Sequence, residues 1–393
     1  MTTIQRITAR ERAYVQEVLD AQFHTSAGSM MSTRLERQFA EKFQSKYAIS
    51  FINGTATMHA ALVAAGVGPG DEVIVPPLTM ASTSFAVLHA GAVPVFADID
   101  PQTWLLDPKA VEQQVTTRTK AIIPVSLYGL APDMDALMDI AERHKLFVLE
   151  DDAECFLGYY KGRIVGSIGH ASSFSFQSSK HMTSGEGGMI TTNDEQLANE
   201  IRRFSSLGYA AVGAKAGKIT KDTIQDPTYE RHASLGFNYR IPELCAAVAL
   251  GQLEHLEELV AIRTQAAHHF AQAVAGCRWL VPQASPDGYV HSYWTYVLKL
   301  DNENAFTWTE FRNKYLENGG DRFYGAWQLT YLEPAFRGRS FGPEQPQQLG
   351  RGLCPVAEAV QPHLMQLKTN YFDSAVAEQK AEALRRTIQF FDR

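Results

Sequence analysis

Over its first two-thirds the chain alternates short apolar runs with helical segments, and few folds accept that rhythm. The runs are YAISFI, EVIVP, VPVFADI, AIIPVSLYG, LFVLED, SSFSFQ and GMITTN, and between them lie helical patterns such as TATMHAALVAAG, DMDALMDIAERH and DEQLANEIRRFSSLG. Strands that alternate with helices form α/β units, so the pattern predicts an α/β fold: a mostly parallel central sheet flanked by helices. From IPELCAAVALGQLEHLEELVAIRTQAAHHFAQAVAG onward the pattern becomes one long amphipathic helical stretch. A strand, YWTYVLKL, and a closing helix near VAEQKAEALRRTIQFF follow. This shift predicts a large domain over residues 1–250 and a smaller C-terminal α+β domain over residues 251–393.

Composition narrows the setting. With 393 residues, of which 45% are hydrophobic, the chain can bury a large core. Its formal charge of −7 is spread without a basic stripe, which argues against a nucleic-acid partner. The first twenty residues lack the apolar core of a secretory signal, and no apolar run reaches the length of a membrane span. Cys155, Cys245, Cys277 and Cys354 are scattered, with no close Cys/His pairs. Neither a disulfide framework nor a metal site is expected, and a reducing cytoplasm fits.

Three pieces of the large domain carry chemistry. Asn53-Gly54-Thr55-Ala56 lies between a strand and a helix. Amides at a helix start attract anions and glycine permits close approach, although such turns are often only structural. Leu149-Glu150-Asp151-Asp152 ends an apolar strand, where ligands of open α/β sheets bind. Acidic residues there can hold a metal, act as acid or base, pair with a cationic ring, or face solvent. In SSFSFQSSKHMTSGEGGMITTND, Lys180 sits between a strand and the Gly185-Glu186-Gly187-Gly188 turn. Alone it reads as a surface charge. An amine, an acid and an anion cradle together are what pyridoxal phosphate needs.

Those residues resemble the DegT/DnrJ/EryC1/StrS sugar aminotransferases, of the aspartate aminotransferase fold (fold type I). The resemblance runs through GTATMHAAL, GPGDEVIVPPLT, GAVPVFADID, LYGLAPDMDAL, LEDDAE, FSFQSSKHMTSGEGG, LGFNYRIPELCAAVALGQL and CPVAE, over nearly the whole chain. It implies pyridoxal phosphate as cofactor, attached to Lys180, which also moves the substrate proton. It implies that Asp151 pairs with the pyridinium nitrogen, and that Gly54, Thr55, Ala56 and Ser175 cradle the phosphate. Asn238 would reach the cofactor phosphate of a neighbouring subunit, making a homodimer the functional unit. L-Glutamate would donate the amino group and a sugar carbonyl would accept it.

The departures are specific. Glu154 stands where the family usually has Gln beside the ring's phenolic oxygen, so it must be protonated or find a donor. Met80 replaces an aromatic residue that stacks on the ring, and a thioether can pack there. Ser126-Leu127-Tyr128-Gly129 lacks the histidine that often precedes the Tyr-Gly turn. A dehydratase branch has His where this chain has Lys180; the adjacent His181 is expected to be a neutral surface residue. Arg240 is a candidate for a substrate carboxylate or a structural ion pair. The segment Gly319 to Tyr331 departs from the pattern of nucleotide-sugar enzymes. There Asp321, Arg322, Tyr324 and Trp327 are candidates to line the sugar side, while Trp327 and Tyr331 can equally be core. The expected acceptor is a nucleotide-linked keto-hexose or a free acidic sugar such as an octulosonate 8-aldehyde. The rivals are a sugar dehydratase and a non-catalytic sensor of the same fold.

Overall fold

The computed structural model describes residues 4–24, 30–210, 212, 225–301, 306–342 and 347–392. In chain order the strands are β1 (Tyr47–Phe51), β2 (Glu72–Val75), β3 (Val93–Phe96), β4 (Thr119–Ile122), β5 (Phe147–Asp151), β6 (Tyr159–Tyr160), β7 (Arg163–Ile164), β8 (Ala171–Ser175) and β9 (Gly188–Thr192). There follow β10 (Leu280–Pro282), β11 (Tyr289–Val290), β12 (Thr295–Leu300), β13 (Tyr324–Gly325) and β14 (Leu364–Lys368). Every apolar run named above overlaps one of the strands of the seven-stranded sheet, whose order is β1-β9-β8-β5-β4-β2-β3. Pairing is parallel from β8 through β5, β4 and β2 to β3, and antiparallel only around β9. All four residues of β2 and of β3 are buried, because helices cover both faces.

Local sequence sets the helix starts. Asn53, Asp133 and Asp194 each accept a backbone N–H of the first turn they precede, and Thr8 with Glu11 forms a capping box. The long helical stretch after residue 241 differs from expectation. It is two helices, Glu243–Leu253 and Leu256–Val274, separated at Glu254 and His255. His255 leaves the helical region at φ −129° and ψ 28°, and its Nδ1 lies 2.8 Å from the Gly251 carbonyl oxygen. Gly251 also receives the N-terminal helix Ala9–Asp20: a Cβ at Gly251 would stand 2.7 Å from Glu11 Cγ.

The main core lies around the sheet. A second core forms where helices Met31–Lys42 and Glu243–Leu253 cover Phe174, Phe176 and Met189. Phe39 is its hub, with ring centroids 4.3 Å from Phe43 and 5.1 Å from Phe174. A third core joins the sheet β10-β12-β14-β13 to helices Leu256–Val274, Trp308–Glu317 and Ser374–Phe391. Leu329, Tyr331, Phe336 and Cys354 return from this later part of the chain to pack in the main core. The early and late halves therefore share apolar packing. Phe39 is fully buried, and truncating such a ring typically costs about 3–5 kcal/mol. Phe39→Ala should lower the urea midpoint accordingly, measured by circular dichroism; an unchanged midpoint would dismiss this hub.

Candidate active site

The parallel strands deliver their chemistry at their carboxyl ends. β5 ends on Asp151 and leads directly to Asp152 and Glu154; β8 ends on Ser175, five residues before Lys180. β1 leads into helix Gly54–Ala64, and β2 leads toward Thr83 at the start of helix Ser82–His89. Two glycines allow these backbones to meet. A Cβ at Gly54 would stand 3.0 Å from Ser175 Cβ, and one at Gly188 would stand 2.7 Å from the Asn53 carbonyl carbon. The second distance is shorter than carbon atoms tolerate, so β9 can pass the helix start only with glycine there.

Lys180 is surrounded by a closed circuit of contacts. Its Nζ donates to Glu154 Oε1 at 3.2 Å and stands 4.6 Å from the ring centroid of Trp294. The Trp294 and Trp327 rings stack 5.8 Å apart at 17°, and Trp327 stacks on Tyr128 at 6.3 Å and 14°. The Tyr128 amide then donates to Glu154 Oε2 at 3.0 Å. Tyr128 holds φ +65°, a region unfavourable for a non-glycine residue, and Gly129 holds φ +109°. A Cβ at Gly129 would lie 2.6 Å from the Tyr293 amide nitrogen, so the turn abuts the segment bearing Trp294. Strain at Tyr128 is thus sustained beside the amine, as at many functional sites.

Four carboxyl groups are buried within five residues. Burial pushes the Asp151 carboxyl up; the Thr83 hydroxyl, donating at 2.8 Å, the Ala153 amide at 3.3 Å and the Lys180 charge all oppose this. Among the described residues no cationic side chain forms an ion pair with Asp151. A pyridinium nitrogen would supply the missing counter-charge, and the donor set therefore fits pyridoxal phosphate. Burial likewise pushes Glu154 up, while Lys180 and the Tyr128 amide pull it down. The donor that Glu154 required is thus at hand. Burial and the Glu150 charge hold Asp152 well above the usual carboxylate range; Ser126 donates to one oxygen at 2.6 Å and the other has no partner. Glu150 turns instead to the amides of Gly166, Ile168 and Gly169 and the Ser172 hydroxyl. Among the described residues no group of three or more His, Cys, Asp or Glu is placed to hold a metal.

Other expected residues fall variously. Thr55 is half-buried at the helix start, whereas the Ala56 amide is already accepted by Asn53 Oδ1 at 2.8 Å. An anion there would share that donor or displace the cap. Met80 is exposed, as are Asn238 and Arg240. The Ile52 amide donates to the Tyr239 carbonyl at 2.8 Å, which sets the strap carrying Asn238 beside the cradle. Arg322 and Tyr324 are exposed; Trp327 is half-buried within the aromatic circuit. Asp321 is committed elsewhere, to Lys380 at 2.9 Å and the Tyr371 hydroxyl at 2.8 Å. Tyr331 is fully buried and donates to Glu358 at 2.6 Å, so it is core. Glu186 is exposed in its turn.

His181 corrects an expectation: it is 3% exposed, not a surface residue. The chain folds its ring under the Lys180 turn, against Phe156, with Nε2 3.0 Å from the Ser292 carbonyl oxygen. Burial drives its pKa well below the usual histidine value, so it is neutral. Trp294, Thr83 and Arg263 were missed from sequence. Trp294 and Arg263 act from distant segments that carry no local signal, whereas Thr83 lies three residues beyond Met80.

Comparison with known proteins identifies the family. The model of the DegT/DnrJ/EryC1/StrS aminotransferase family matches residues 5–370. A GDP-perosamine synthase of Caulobacter vibrioides is 40% identical over 75% of this chain and 76% of its own. The spore coat polysaccharide biosynthesis protein SpsC of Bacillus subtilis is 39% identical over 69% of each chain. An aminotransferase of Psychrobacter cryohalolentis superimposes with a TM-score of 0.88 at 31% identity, covering 98% of both chains. After incubation with pyridoxal phosphate and borohydride reduction, peptide mapping should find the cofactor on Lys180; attachment at another lysine would reassign the site.

Proposed function

The chain belongs to the DegT/DnrJ/EryC1/StrS family as a pyridoxal-phosphate-dependent sugar aminotransferase, and on that premise we propose that it carries the amino group of L-glutamate to a keto- or aldehydo-sugar for cell-surface polysaccharide biosynthesis. The observation that carries this reading is the placement of Lys180 Nζ between Glu154 and the Trp294 face, with Asp151 buried nearby. When bound, the cofactor supplies an electron sink that stabilises negative charge at the substrate carbon. Lys180 holds it and returns or removes the proton at that carbon. Asp151 sets the charge on the ring nitrogen. Thr55, Ala56, Gly54 and Ser175 orient the phosphate, and Met80 borders the ring. Lysine, where dehydratases of this family have histidine, supports amino transfer over dehydration. The conjunction of Lys180 with a buried Asp151 that forms no ion pair among the described residues supports an enzyme over a non-catalytic sensor.

L-Glutamate would leave as 2-oxoglutarate, and the sugar C=O would become an amine-bearing carbon. A nucleotide-linked hexose is the acceptor that the GDP-perosamine synthase relative supports. The stacked indoles of Trp294 and Trp327 offer a flat apolar wall beside the amine, suited to one face of a sugar ring. A second acceptor, a free acidic sugar such as 8-oxo-3,8-dideoxy-octulosonate, is favoured by Arg322. Exposed and five residues from Trp327, it can meet a carboxylate. The test is 2-oxoglutarate release from L-glutamate with each acceptor class; no turnover with either would overturn the reading. Trp327→Phe and Arg322→Ala should slow transfer to the sugar on the order of tenfold. Release of 2-oxoglutarate in the first half-reaction should be spared. Stopped-flow measurement separates the two halves, and equal losses in both would assign the segment to packing.

We further propose a homodimer with shared sites. Leu235 is 92% exposed and Phe237 46%, both on the strap that carries Asn238, and Ile52 lies exposed beside it. Such an apolar surface seeks a partner. All four cysteines are free thiols, which supports a cytoplasmic setting. No helix among the described residues is long and apolar enough to cross a membrane. Co-expressed Lys180→Ala and Asn238→Ala subunits, each inactive alone, should regain part of the activity as heterodimers. Heterodimers that form without activity would place each site within one subunit.

A further inference from the structure

We propose that Arg263 is a positioning residue that fixes the turn bearing Lys180 and the Trp294 indole as one unit. This rests on the reading of Lys180 as the cofactor-binding amine. Arg263 lies within helix Leu256–Val274 and is 3% exposed, yet among the described residues it forms no ion pair. Its charge is satisfied by oxygen atoms of three separate segments. One terminal nitrogen donates to the Ser179 carbonyl at 2.9 Å and the Lys180 carbonyl at 3.0 Å. The other donates to the Trp294 carbonyl at 2.7 Å and the Thr369 hydroxyl at 3.4 Å. The Trp294 indole nitrogen returns to the Ser179 carbonyl at 3.0 Å. Thr369 in turn donates to the carbonyls of Tyr293 and Trp294, at 2.8 and 2.9 Å.

Removing a guanidinium from water is costly, and an apolar side chain would fill the same space without that cost. What an apolar residue cannot do is hold three carbonyls in one plane of donors. Burial pulls the guanidinium down to about 9, so it stays charged near neutrality. Arg6 disfavours that charge and Glu154 favours it. Arg6 meanwhile donates to the Ser178 carbonyl, so residues 178, 179 and 180 each present a carbonyl to an arginine. With the Lys180 backbone fixed, the flexible side chain starts from a defined direction, toward Glu154 and the Trp294 face. Small misplacements of reacting groups are expensive in rate.

The test uses Arg263→Gln and Arg263→Lys. In cofactor-free protein, lysine-selective reductive methylation read by peptide mass gives the labelling rate of Lys180 relative to Lys42 and Lys314 in the same molecule. Arg263→Gln should raise the relative rate at Lys180 on the order of tenfold, and Arg263→Lys should restore part of the difference. In the loaded enzyme the same variants should lower kcat while KM for glutamate stays within about twofold. A folded variant whose relative Lys180 rate is unchanged, or in which all lysines rise together, overturns the proposal. If Arg263→Gln does not fold, Arg263→Lys alone is held to the same criterion. Failure of the underlying reading looks different: borohydride would then fix the cofactor on another lysine in the unaltered protein.

Discussion

Four carboxyl groups taken out of water at the end of β5 set the terms for everything around them. Each must be neutralised, paired or given donors. Glu150 draws three backbone amides and a serine hydroxyl to one side of the strand. Asp152 draws Ser126, Asp151 draws Thr83, and Glu154 draws both the Lys180 amine and the Tyr128 amide. The turns after β2, β4 and β8 are thereby tied to one strand end. The site is a solution to desolvation before it is a catalyst, and Asp151, which has no ion-pair partner among the described residues, is the group a cationic ring would complete.

Much of this was legible in the residue order. Strands buried on both faces leave continuous apolar runs, so the seven strands of the large sheet could be named with ends displaced by a few residues. Asp151 ends such a run and Gly54 and Lys180 follow one, but the roles of Lys180, Asp151, Gly54 and Ser175 were legible through the family resemblance. Trp294 could be read only as part of a strand pattern, and Arg263 only as a polar residue in an amphipathic helix. Their placement depends on how residues far apart in sequence fold together, and no local period encodes that. The His255 break was hidden because neither a proline nor a side-chain cap marks Glu254 and His255. His181 differs for a related reason: a polar residue beside a glycine turn reads as exposed, whereas its ring is buried against Phe156 and the Ser292 carbonyl.

Selectivity among sugars is a separate matter from holding the amine. Lys180, Glu154 and Asp151 come from the large sheet, whereas Trp294 and Trp327 come from the later part of the chain. Amine and indole wall are thus supplied by different elements, and Arg263 joins them. The wall is coupled to the carboxylates beneath it: the Trp294 indole meets the lysine turn, and Trp327 stacks on Tyr128, whose amide donates to Glu154.

The antiparallel strand β9 has a consequence for how the molecule comes into being. In the large sheet β1 has β9 as its one neighbour, pairing Tyr47 with Thr192 and Phe51 with Gly188. On a ribosome β1 emerges early, yet its hydrogen-bonding edge stays open until more than a hundred further residues have been made. The helix start that follows β1 waits equally long for its close contacts with Ser175 and Gly188. A nascent chain halted before residue 188 would carry an unpaired apolar strand, which is the kind of exposed edge that aggregates or recruits chaperones.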